Sequence, residues 1–294
     1  MSALQEMEQD IRRVAEQAGK SVVGVGRRWG VGSGVAIGGG TVLTNAHNVR
    51  SDETIVTLPD GSQVTGTVAG ADVDGDIAVI SVESDFGTGI EWHDDPGSLG
   101  IGSLVFALAN PGGRGPRVTF GFVSGTERSF RGPRGRRIAG SIEHTAPLLP
   151  GSSGGPIVDS AGRFLGLNTN RLGEGFYLAI PSDPSLKERA AGLGKGRIPR
   201  RPRLGVGLAP ARVAKNLRRA VGLAPEDGLL VRAVEDGSPA ATAGIKEGDL
   251  LIEAGGRKLA DFDVLYETLE TSGSDLEVKL LRGADEQTIR VSLS

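Results

Sequence analysis

The chain opens on a helical rhythm. Leu4, Met7, Ile11, Val14 and Ala18 fall at alternating spacings of three and four, which lays a narrow apolar stripe along one helix face. Ser2 and Gln5 stand where a capping box would start that helix. So short a helix does not hold alone in water, so the stripe is predicted to dock, on its own domain or on another subunit. After residue 22 the pattern becomes short β-rich runs, at 22–25, 30–37, 42–44, 55–58, 64–71 and 77–82, with Pro59-Asp60-Gly61 as a turn. A second set follows at 104–109, 118–125, 141–145, 156–158, 164–170 and 175–179. Closely spaced strands with Gly and Asp turns predict an antiparallel barrel or sandwich. Residues 128–137, with RGPRGRR at the centre, are too polar and too rich in Gly and Pro for a strand and are predicted to be a mobile, solvated loop.

Residues 192–203, GLGKGRIPRRPR, have almost nothing to bury and predict a linker. A smaller domain is expected beyond it. Its strands are predicted at 204–208, 229–234, 249–254, 276–281 and 287–293. A helix is predicted at 210–221, and another runs to Ser272 behind an Asp261 cap, with Phe262, Leu265 and Leu269 on one face. The organisation predicted is thus an N-terminal helix (1–19), a β domain (20–191), the linker (192–203) and a second domain (204–294).

Composition changes this picture little. With 47 glycines and 4% aromatic residues in 294, the chain suits many tight turns rather than a helical bundle. A formal net charge of −3 gives no global basic field, so no nucleic-acid partner is expected. The absence of cysteine removes disulfides, thiol catalysis and cysteine metal sites. No apolar run reaches signal-peptide length at the start or membrane-span length anywhere. A cytoplasmic chain is expected as written, and an extracytoplasmic one if an anchor has been trimmed away.

The candidate chemistry centres on Gly151-Ser152-Ser153-Gly154-Gly155-Pro156. Glycines let consecutive N–H groups face one side of a tight turn, so the N–H groups of Gly151 and Ser153 can point at one place, a serine nucleophile beside an oxyanion hole. Acyl transfer by serine needs a base and a carboxylate that orients it. His47, after a strand, and Asp76, at the head of Ile77-Ala78-Val79-Ile80, can supply both. Base and carboxylate would come from the first strand set and the nucleophile from the second, with the site in the cleft between. His93, among Glu91, Asp94 and Asp95, is expected at the surface, and His144 is a weaker candidate for the cleft wall. Asp72, Asp74 and Asp76 lack the Gly-then-Glu continuation of a calcium loop, so no metal or other cofactor is expected.

TNAHNV around His47, DIAVI from Asp76, GSSGGP around Ser153 and the later FYLAIPSD resemble the HtrA/Deg family of serine proteases. LGV at 204–206 and GSPAATAGIKEGDLLIEAGG resemble the PDZ domain that family carries. The resemblance implies a mainly β fold, two antiparallel chymotrypsin-like β-barrels followed by a small α+β PDZ domain. It implies an ATP-independent endopeptidase of unfolded or damaged proteins, a His47-Asp76-Ser153 triad with Gly151, Ser152 and Ser153 as the oxyanion loop, and a homo-oligomer, usually a trimer. Pro147, six residues before the nucleophile, would lie at the floor of the specificity pocket, with Leu148 and Asn168 beside it. Leu204, Gly205 and Val206 would receive the carboxylate of C-terminal peptides with apolar ends, and Leu265 and Leu269 would line the groove. Ser152 stands where the family usually has Asn, and Thr145-Ala146-Pro147-Leu148-Leu149 replaces its usual Asp-Ala-Ala-Ile-Asn. The rival is a holdase chaperone or peptide-binding scaffold on a protease fold with an idle triad.

Overall fold

Ser2 does start the first helix. Its hydroxyl accepts from Gln5 N–H while the Gln5 side chain accepts from Ser2 N–H at 2.9 Å. The computed structural model describes residues 2–26, 32–83, 89–93, 95, 98–133, 135–173, 175–199 and 201–293; residues 30 and 31 of the first predicted strand set, and Asp94, lie outside these. The chain divides into two units, Met1–Pro199 and Arg200–Ser294. In the first, α1 (Ala3–Ala18) buries Val14 and Ala18 in a cluster of its own domain, with Ile11 packed against it. That half of the stripe therefore docks at home.

Six strands form the first barrel: β1 (Val22–Val25), β2 (Gly32–Gly38), β3 (Thr41–Thr44), β4 (Glu53–Thr57), β5 (Gln63–Asp72) and β6 (Ile77–Val82), closed in the order β1-β2-β3-β6-β5-β4. The second closes as β10-β11-β12-β9-β8-β7. Its members are β7 (Leu104–Ala109), β8 (Arg117–Arg131), β9 (Arg137–His144), β10 (Pro156–Val158), β11 (Phe164–Gly173) and β12 (Phe176–Pro181). All the pairings are antiparallel. Strand alternation gives each barrel two apolar faces. Val23, Val25, Val42, Val56, Ile80 and Val82 pack together in the first, and Val105, Ala107, Val123, Ile142, Ile157 and Leu165 in the second. Their neighbours, Val35, Leu43, Ile77 and Val79 from one barrel and Phe106, Leu108, Leu167 and Leu178 from the other, meet in a shared cluster.

Two expectations give way. The 128–137 segment is a hairpin, not a loop: Arg128 pairs with Ser141, Phe130 with Ile138 and Arg131 with Arg137. Phe130 is buried while its charged neighbours point out, and backbone pairing asks nothing apolar of those neighbours. Only a short turn remains, where Gly132 N–H donates to the Arg136 carbonyl. The predicted linker also starts too early. α2 (Pro184–Leu193) is capped by Asp183, which accepts from Leu186 N–H at 2.7 Å, and it buries Leu186, Ala190 and Leu193.

The second unit is a single sheet with helices. It contains β13 (Val206–Ala209), α3 (Ala211–Ala220), β14 (Leu229–Val234), α4 (Pro239–Thr242), β15 (Leu250–Ala254), β16 (Arg257–Lys258), α5 (Phe262–Thr271), β17 (Asp275–Arg282) and β18 (Asp285–Ser292). The order is β13-β14-β15-β17-β18, with β16 beside β15. Asp261 caps α5 as predicted, accepting from Asp263 and Val264 N–H. The first strand begins at Val206, so Leu204 and Gly205 form the loop before it. Leu265 and Leu269, expected on an open groove, are buried in this unit's core, because they fasten α5 to the sheet. Among the described residues no helix is long and apolar enough to cross a membrane.

Because Leu193 is fully buried at the end of α2, Leu193→Ala is expected to cost about 2–4 kcal/mol of first-unit stability in chemical denaturation. Ile198→Ala, beyond the helix and 56% exposed, should stay within about 0.5 kcal/mol.

Candidate active site

Asp76 closes the β5–β6 turn with φ at 52°, a left-handed conformation that Asp tolerates better than most residues. The carbonyl of Asp76 accepts from Asn45 Nδ2 at 2.9 Å. Its carboxylate, 3% exposed, then faces the 3-10 turn Ala46–Asn48 that follows β3. His47 donates its own N–H to Oδ1 at 3.2 Å, and its ring Nδ1 lies 2.9 and 3.0 Å from the two oxygens. Thr169 Oγ1, from β11 in the second barrel, donates to Oδ2 at 2.6 Å. With Nδ1–H turned to a carboxylate, Nε2 is left as the acceptor, and the ring is 38% exposed.

The neighbouring aspartates go elsewhere. Asp72 accepts from Gly75 N–H and faces Arg189, and Asp74 faces Arg136. Three carboxylates with three separate partners do not converge on one ion.

The turn expected to carry the nucleophile comes up to this pair from the second barrel. Gly151 has φ at 86°, and Ser152 N–H donates back to the Leu149 carbonyl at 3.1 Å. Gly154 has φ at 86°, and a Cβ there would lie 2.1 Å from the Ser33 carbonyl oxygen, so this position admits only glycine. Ser153 Oγ donates to the Thr169 carbonyl at 3.1 Å, not to His47. Among the described residues, the N–H groups of Gly151 and Ser153 are bonded to no protein acceptor. The structure therefore brings His47, Asp76 and the loop of Gly151, Ser152 and Ser153 together across the barrel seam. Sequence reasoning missed Thr169, which touches both ends of the arrangement; its one signal was its place beside Asn168 on a strand that pairs with the nucleophile loop.

The expected pocket residues part company. Pro147 is exposed, with its carbonyl held by Thr119 Oγ1, and Leu148 packs against the second barrel's interior. Asn168 is fully buried, with Oδ1 2.9 Å from His144 Nε2. His144 is not a cleft residue. It is fully buried and stacks on Tyr177 with ring centroids 5.8 Å apart. His93 is half-buried: its side chain is 15% exposed, Nδ1 accepts from Asp95 N–H, and Nε2 lies 3.8 Å from Asp159.

Comparison with known proteins covers both units. Residues 32–167 match the trypsin-like peptidase domain, and 202–293 match the PDZ domain. Over 282 residues the chain is 30% identical to the serine protease Do-like HtrA of Lactobacillus helveticus, covering 89% of this chain and 68% of that protein. The chain belongs to the HtrA family. It is 32% identical over 286 residues to the Do-like HtrA of Bacillus subtilis, covering 90% of this chain but only 63% of that protein, so it spans less than two thirds of that relative. The solved structure of the HtrA-type protease AlgW with a decapeptide shares the fold, with a TM-score of 0.65 and 22% identity over 96% of this chain and 97% of that one. Within this HtrA-family chain, His144 and Asn168 form a buried polar pair behind the nucleophile loop.

Burial pushes the His144 imidazole down to about 4 from 6.5, only partly offset by its bond to Asn168. The unfolded chain therefore takes up this proton first. The stability that neutral His144 supports is complete above pH 6.5 and is lost as pH falls toward about 4. Wild type is expected to lose about 3 kcal/mol more than His144→Leu across that window in pH-resolved denaturant unfolding.

Proposed function

We propose that this chain is an ATP-independent serine endopeptidase that degrades unfolded or damaged proteins, with His47, Asp76 and Ser153 as its catalytic triad. One observation carries the proposal: Thr169 donates its hydroxyl to the Asp76 carboxylate that holds His47, and accepts Ser153 Oγ on its own carbonyl. The serine hydroxyl is a rotor. A turn about Cα–Cβ exchanges the Thr169 carbonyl for His47 Nε2 as its acceptor. His47 then takes the Oγ proton as Oγ attacks the peptide carbonyl, and Asp76 stabilises the imidazolium. The free N–H groups of Gly151 and Ser153 receive the oxyanion. His47 passes the proton to the leaving amine, and a water activated the same way releases the acyl group. Pro147 and Leu148 offer no carboxylate to a Lys or Arg side chain, so cleavage after small or medium apolar residues is proposed.

The second unit is proposed to bind C-terminal peptides with apolar ends and so regulate cleavage. The carbonyls of Leu204 and Gly205 accept from Ala240 and Glu235 N–H, while the N–H groups of Leu204 and Gly205 have no acceptor among the described residues. Those N–H groups suit a carboxylate, and half-buried Val206 and Leu208 suit the apolar side chains beside it. A homo-oligomer, a trimer by family resemblance, is proposed to form on outward-facing Phe120 and Phe122 of β8, which are 41% and 50% exposed.

Ser153→Ala is expected to slow casein cleavage by roughly 10⁴-fold or more, with His47→Ala nearly as severe and the double variant little worse, because the residues act as a unit. Cleavage by Ser153→Ala at the wild-type rate overturns the assignment. A wild type that cleaves nothing yet suppresses aggregation makes the holdase reading the better one. A peptide ending in a free Val carboxylate should bind at least about tenfold tighter than its amidated copy in a calorimetric titration, since a charge-assisted bond is lost on amidation.

A further inference from the structure

Two peptide units of the turn are pinned on both edges; the free Ser153 N–H lies between them and the free Gly151 N–H just before the first. In the Gly151–Ser152 unit, the carbonyl accepts from Ser33 Oγ at 2.8 Å and the N–H donates to Leu149 O at 3.1 Å. In the Ser153–Gly154 unit, the carbonyl accepts from Ser33 N–H at 2.8 Å and from Asn48 Nδ2 at 2.9 Å, and the N–H donates to Asn168 O at 2.8 Å. Ser33 thus reaches both units, and it comes from β2 of the first barrel. It is itself held. Asn110 N–H donates to its Oγ at 3.0 Å, Thr44 Oγ1 donates to its carbonyl at 2.6 Å, and the residue is fully buried.

A glycine in the left-handed region, as Gly151 is, can turn its flanking peptides at little steric cost. Nothing in the turn's own sequence therefore compels Gly151 N–H and Ser153 N–H to face one point. From these contacts we infer that Ser33 is the positioning residue that sets the oxyanion loop, its hydroxyl fixing the Gly151–Ser152 peptide and its N–H fixing the Ser153–Gly154 peptide. Asn48, the residue after His47, reinforces the second bond and ties the setting of the loop to the turn that carries the base. Ser33 touches no reacting atom and acts through the loop alone. The inference rests on the endopeptidase reading for its catalytic consequence, while its structural content, that the Ser33 hydroxyl orders the turn, stands apart from that reading.

Ser33→Ala removes the hydroxyl and keeps the N–H. On a peptide substrate its kcat is expected to fall roughly tenfold to a hundredfold with KM within about twofold, because misplaced oxyanion donors weaken the transition state rather than substrate binding. Ser33→Thr, which keeps the hydroxyl, should recover most of the loss, and Ser33→Cys, which keeps the volume with a poor donor, should not. A kcat unchanged in Ser33→Ala overturns the inference while leaving the Ser153 assignment intact. Cleavage by Ser153→Ala would do the reverse. A second measurement needs no catalysis. In a Ser153→Ala background, adding Ser33→Ala should speed hydrogen exchange at Ser152 N–H at least about tenfold by NMR, with Leu108 and Ile157 N–H still protected. Unchanged exchange at Ser152, or equal acceleration throughout the core, overturns the inference whether or not the chain cleaves.

Discussion

The two barrels are held by one apolar seam, and every functional contact in the first unit depends on it. Val35, Leu43, Ile77 and Val79 meet Phe106, Leu108, Leu167 and Leu178 with α1 and α2 packed against the same cluster. Apolar contact has no direction of its own, but close packing leaves only one relative placement of two rigid barrels. At the edge of that seam the hydrogen bonds become directional. Thr169 meets Asp76, and Ser33 meets Gly151 and Ser153, each across the line between barrels. The polar contacts report the seam's registration to within the few tenths of an ångström that a hydrogen bond tolerates.

Asp76 shows how a buried charge is kept in such a place. A carboxylate removed from water needs donors in its stead. It has His47 N–H, His47 Nδ1 and Thr169 Oγ1, and its backbone carbonyl is held by Asn45. The left-handed turn at Asp76 is sustained by that set of bonds, since a local cost in backbone energy persists only where surrounding contacts over-determine it. His144 presents the opposite solution: a buried base kept neutral, with one ring nitrogen facing an amide oxygen.

What could be read from the residues was what residue type and short spacing encode. Ser2 with Gln5 and Asp261 before α5 each carry their chemistry within a few positions and cap the helices they were expected to cap, and the His and Asp motifs bring His47 Nδ1 against the Asp76 carboxylate. Long-range partners were not legible. Ser33, Asn48 and Thr169 are common polar residues whose roles exist only once two barrels meet. Polarity misled at 128–137, where backbone pairing needs one inward Phe130, tolerates charge at exposed Arg128, Arg131 and Arg137, and Arg136 is buried facing Asp74. Amphipathicity misled in α5, where Leu265 and Leu269 share a face because the core requires it.

Strand β11 carries a consequence for how this chain can vary. Asn168 bonds the nucleophile loop with both backbone groups and His144 with its side chain, while Thr169 turns to Asp76 and holds Ser153 by its carbonyl. Adjacent residues of a strand face opposite ways, so one residue inserted or deleted within β11 ahead of Asn168 would exchange these two sets of contacts at a stroke. The run from Phe164 to Thr169 is therefore locked by parity. Drift in length among descendants of this sequence belongs instead at the tip of the β11–β12 hairpin, past Arg171, where exposed Leu172 bears on none of these contacts.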